Sequence, residues 1–149
     1  MERLNLTGII YLASSALLAI CNFLPIVTMT MGTGASDDVI SARMIPTFDG
    51  FIGLVAGGVC FMIPFWGMKD KCALIATIAG ITSGIFLFHR IATIKAAEAA
   101  TVGMTALLNQ ISGSTEATVS FDYSFGFYLY ILAIILVVGS SFFYAFSED

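Results

Sequence analysis

The chain holds a single histidine, His89, followed at once by Arg90, and the pair closes an uncharged stretch that begins at Cys72. Ionisable residues at the edge of a long apolar run are natural candidates for a polar site, because a charge in low-dielectric surroundings needs a partner or a route to water. The plainer alternative is that Arg90 lays its aliphatic stem along apolar surface and lifts its head into a polar layer that His89 shares. That alternative is preferred, since both residues stand at the boundary of the run. Lys95 and Glu98, three apart, read as a solvated helical pair.

Other chemistry has few residues to draw on. There is no H-E-x-x-H, no serine nucleophile elbow, no Cys or His pair at ligand spacing and no glycine-rich phosphate loop. No catalytic, cofactor-binding or metal-binding residue is therefore assigned, and the chain is expected not to be an enzyme. Asp37-Asp38 reads as a solvated loop, and with Arg43 it forms a candidate polar surface for a partner. Cys21, Cys60 and Cys72 fall inside or at the edge of apolar runs, which leaves no thiol in the connecting segments to crosslink them.

Two small-residue stripes stand out. Gly53 and Gly57 make one G-x-x-x-G, and Gly80 and Gly84 make another that Ala76 extends by a turn. In an apolar medium such stripes let helix backbones approach closely and gain dispersion contacts. The two faces are expected to pack on each other, with a dimer face as the competing use.

The composition says what must position these residues. Of 149 residues 58% are hydrophobic and 11% charged, less than half the charge usual in a soluble domain of about 25%. Uncharged runs extend over 4–36, 50–68, 72–88 and 123–147, near or beyond the roughly 18 residues that cross a bilayer. Four spans are expected, at about 8–27, 50–68, 72–90 and 123–146, in one domain covering 1–149. The first run is too long for a signal-peptide core and carries no clear cleavage site. Net charge is −4 without a basic cluster, which argues against nucleic-acid binding.

Between the spans lie two exposed segments, 28–49 and 91–122. Val27 to Met31, Val39 to Ile45 and Ala117 to Asp122 alternate apolar with polar and are bounded by Gly, Ser or Asp, as short strands are. They are expected to form one antiparallel sheet against the third helix, with Ile91, Ile94, Val102 and Leu107 supplying burial. Asp49 is placed to cap the second helix. Lys69-Asp70-Lys71 permits only a tight return, so spans two and three are neighbours. Helix-forming composition runs on from span three toward Leu108, giving a helix of up to about 40 residues and about 60 Å, twice the hydrocarbon thickness, that must project.

This order of helix, strands, helix, tight turn, long third helix, strand and helix resembles the claudin-like tetraspan membrane proteins. The resemblance lies in architecture; the family's first-loop Trp and Cys signature is absent, and Trp66 is the only tryptophan. It implies an all-α four-helix transmembrane bundle with a small extracytoplasmic sheet, working by lateral or end-on association. The expected function is accordingly a non-enzymatic assembly protein, an accessory subunit or self-associating tetraspan, whose partners are the lipid bilayer and another membrane protein or a second copy. A small oligomeric channel or transporter subunit is the alternative. Lys69 and Lys71 in the shortest loop favour both termini on the cytoplasmic side of a plasma or inner membrane.

Overall fold

The computed structural model describes residues 6–32, 37–113 and 118–147. Its elements in chain order are α1 (Leu6–Cys21), β1 (Pro25–Gly32), β2 (Asp37–Arg43), α2 (Phe48–Met62), two 3-10 turns (Ile63–Trp66 and Lys69–Lys71), α3 (Cys72–Ser112), β3 (Thr118–Tyr123) and α4 (Phe125–Phe146). Three helical segments, Phe48–Trp66, Lys69–Ser112 and Phe125–Phe146, are long and apolar enough to cross a membrane, and Leu6–Cys21 is a shorter apolar helix.

Helix α1 is shorter than its apolar run. The Asn22 side chain turns back to donate to the carbonyls of Leu18 at 2.9 Å and Ala19 at 3.3 Å, and Pro25 brings no amide to continue the ladder. The helix stops at Cys21, and residues up to 27, expected within the span, instead turn and enter β1. The cap of α2 also differs from expectation. Thr47, not Asp49, is the N-cap residue, and its hydroxyl accepts from the Gly50 amide. Asp49 sits two residues further on, in the first turn, where its charge still meets the positive end of the helix. Beyond α2, Pro64 opens a 3-10 turn and Gly67 takes the left-handed φ of 65° that reverses the chain. Helix α3 runs for 41 residues, about 60 Å, and ends at Gly113 with φ 68°.

All three expected strands are present. The sheet order is β2-β1-β3, antiparallel throughout, so β1 is central and Met29 pairs with both Ile40 and Phe121. The Ser124 amide donates to Ile26 O at 2.9 Å, which joins the end of β3 to the start of α4 without slack. Of the apolar α3 positions expected beneath the sheet, Ile91 and Ile94 pack on the core. Val102 and Leu107 are exposed, because α3 continues past the sheet into the open.

The helices form a ring in which α2 and α4 each touch both α1 and α3. Gly57 packs on α1, where an added Cβ would stand 2.8 Å from Ala19 N, and Gly80 packs on α4, where it would stand 2.7 Å from Val138 Cγ2. The two glycine stripes are thus directed at α1 and α4, not at each other. Ala76 is fully buried, whereas a Cβ at Gly84 would meet nothing within 4 Å. At the turn end the Tyr11 hydroxyl donates to Cys60 O at 2.9 Å, and its ring stacks on Tyr144 at 5.6 Å. Lys69 Nζ donates to Ser147 O at 2.7 Å, placing a cation at the carbonyl end of α4.

Candidate functional site

The polar residues gather at the sheet end of the bundle. Asp49 is 8% exposed, and its Oδ2 lies 3.0 Å from His89 Nδ1. An ionised carboxylate only accepts, so the imidazole donates through Nδ1 and turns Nε2 outward. His89 is 68% exposed at its side chain, so the pair is a buried anion held by a cation-capable group on the surface. Arg90 does not join it. Its Nε is buried with no hydrogen-bond partner among the described residues. The candidate pair of His89 and Arg90 therefore resolves into two separate groups, and Asp49, assigned in sequence to capping, is the neighbour of His89.

One layer deeper, four helices meet at a second polar contact. Asn22 and Tyr130 are fully buried, and the Tyr130 hydroxyl donates to Asn22 Oδ1 at 3.2 Å. Gly53 leaves the space for this bond, since a Cβ there would overlap Asn22 Oδ1 and the Tyr130 hydroxyl. Ser83 of α3 is also fully buried, and its Oγ makes no hydrogen bond with the described residues. Asn22 and Tyr130 satisfy one another in a packed interior, which suits holding helices in register.

The candidate partner surface lies on β2 itself, where Asp38 and Arg43 are exposed and Asp37 opens the strand. Between them Val39 is 65% and Ile40 52% exposed. Lys95 and Glu98 form no ion pair; Lys95 Nζ instead stands 5.7 Å from the centre of the Tyr123 ring. Among the described residues, no three or more His, Cys, Asp or Glu side chains converge as metal ligands.

Comparison with protein-family models, with curated proteins and with solved structures returns no match. Four helices with a small sheet agree with a tetraspan arrangement, and the likeness to claudins rests on that order of elements alone.

Proposed function

We infer that this chain is a non-enzymatic integral membrane protein of four spans that acts by assembly. It joins another membrane protein or a second copy through its sheet and helix faces. Both termini are cytoplasmic and the sheet lies outside. The short α1 crosses with local thinning of the bilayer, since 16 residues reach about 24 Å against a hydrocarbon core of about 30 Å.

The observation that carries this reading is β2. The far edge of β3 lies by α3, but among the described residues β2 packs substantially only on β1, and Val39 and Ile40 show apolar side chains on both of its faces. An unpaired apolar edge strand is a template for another strand or an apolar surface, and the charges at Asp38 and Arg43 restrict which partners fit. Covering the two exposed side chains is worth about 2–3 kcal/mol in all. Asn22, on which a channel reading would draw, is fully buried and bonded to Tyr130, which favours assembly over conduction.

A photoreactive residue at Ser41, exposed on the same strand, is expected to give one discrete crosslinked product in native membranes, lost when V39K/I40K is added. A strict monomer in mild detergent, with no discrete product, would count against assembly. For orientation, Asp38→Cys and Asp70→Cys, in a background without the native thiols, separate the two sides. An impermeant reagent on intact cells should label the first only; the reverse pattern overturns the topology.

A further inference from the structure

We propose that the groove between α3 and α4 holds one acyl chain of a phosphatidylethanolamine-type lipid, with the headgroup seated on Lys95, Glu98 and Asp122. The proposal rests on the membrane placement given above. The groove has a volume of about 590 Å³ and runs from Gly84 to Lys95 along α3 and from Ile135 back to Phe127 along α4, with Tyr123 of β3 at its mouth. Its floor is open because Gly84 has no side chain and nothing within 4 Å of where one would begin. Apart from Lys95 and the Tyr123 hydroxyl the lining is apolar, including Phe88, Ile91 and Phe127.

Length selects the occupant. From Gly84 to Lys95 is 11 residues, about 16 Å of helix, which matches one leaflet of a hydrocarbon core of about 30 Å. Gly84 lies 12 residues into a helix that starts at Cys72, so the groove begins near the midplane and opens at the interface on the sheet side. In that setting acyl chains are the solvent, and a groove one leaflet deep and open to the side takes a chain end-on from its neighbours.

Charge selects the headgroup. The groove meets a second cleft of about 280 Å³ that shares Ile91, Lys95 and Tyr123 and adds Glu98 and Asp122. From the midplane outward the wall is therefore apolar, then cationic at Lys95, then anionic at Glu98 and Asp122. A phospholipid with an ethanolamine headgroup has the complementary order of acyl chain, phosphate and ammonium. The Tyr123 ring under the Lys95 ammonium holds that cation at the groove mouth. Among the described residues neither Lys95, Glu98 nor Asp122 forms an ion pair, so all three charges are free to meet a headgroup.

The test is native mass spectrometry of the full chain released from micelles with equimolar phosphatidylethanolamine, phosphatidylcholine and phosphatidylglycerol of identical chains. One phosphatidylethanolamine per chain should survive, preferred over the glycerol lipid by about tenfold, the size of one charge-assisted contact. Gly84→Phe fills the groove floor and should abolish retention of every lipid, as should Ala92→Phe, which blocks it from an exposed position. E98Q/D122N should keep retention but reduce the headgroup preference to less than about twofold. Equal retention of all three lipids, retention unchanged in both blocked variants, or a dimer that closes the groove without lipid would each overturn the proposal. Alkaline carbonate extraction separates this from failure of the membrane reading: a chain that stays in the pellet yet holds no lipid refutes the lipid site alone.

Discussion

Gly53→Ala and Gly84→Ala are the same chemical change on two apolar helices, and the structure assigns them opposite signs. At Gly53 the new methyl would stand closer than 3.0 Å to both Asn22 Oδ1 and the Tyr130 hydroxyl, inside a region where both side chains are fully buried. The bond between those groups is worth about 1 kcal/mol or less, since interhelical hydrogen bonds in lipid average about 0.6 kcal/mol. Overpacking against close-packed neighbours adds about 1–3 kcal/mol. Alanine returns about 1 kcal/mol of helix propensity, so the net loss is about 1–3 kcal/mol. At Gly84 nothing stands within 4 Å, and only the propensity gain of up to about 1 kcal/mol remains. Unfolding in mixed micelles, titrated with denaturing detergent, should separate the variants by about 2–4 kcal/mol. The loss at Gly53 should shrink in an Asn22→Ala background, where part of the overlap is already gone. Equal stabilities of G53A and G84A would refute the reasoning.

Tyr11→Phe removes one of two donors to Cys60 O, the other being the Ile63 amide, but keeps the stack on Tyr144, so the same titration should show a loss of about 1 kcal/mol, and no loss would mean that the Ile63 amide alone satisfies that carbonyl. His89→Ala strips the buried Asp49 carboxylate of its partner and should cost about 1–2 kcal/mol, discounted for the exposed imidazole; H89A/D49A should cost less than the sum of the single changes, and strict additivity would deny the pair. Gly126→Ala drives a methyl into Pro25 O and within 2.9 Å of Leu24 Cβ at the junction of sheet and α4, so hydrogen exchange should rise in β1 and β3 before it rises in α2; uniform loss of protection would place the defect elsewhere.

The helices and strands were legible because they rest on local pattern. Alternation at 27–31 and 117–122, the tight Lys69 to Lys71 return and the alanine-rich continuation of α3 each fix an element from its own residues. The early stop of α1 was not legible. It depends on Asn22 folding back on the carbonyls of Leu18 and Ala19 and on the helix handing its apolar run to a strand, and an apolar run reads alike in both. The small-residue stripes were visible, but a stripe records only that something comes close. Which neighbour comes close follows from the ring order of the helices, in which α2 and α3 touch but turn Gly57 to α1 and Gly80 to α4.

The Asp49 and His89 contact is a different case, since the sequence contained it. Both residues stand 20 positions from Lys69, in the middle of the return between two antiparallel helices. Residues equidistant from such a turn stand at the same height, because each step along either helix advances about 1.5 Å. The tight turn already made α2 and α3 neighbours, so the lone histidine and the acidic residue in the first turn of α2 had to lie level with each other. A capping role for Asp49 hides this, because it accounts for the carboxylate without any partner on α3. Thr47 takes the cap, which frees the Asp49 carboxylate to reach across to α3. The same symmetry leaves Arg90 one position beyond its counterpart, turned about 100° around α3 from His89. Adjacent residues on a helix do not share a face, and for that reason the pair His89-Arg90, contiguous in sequence, does not make one site.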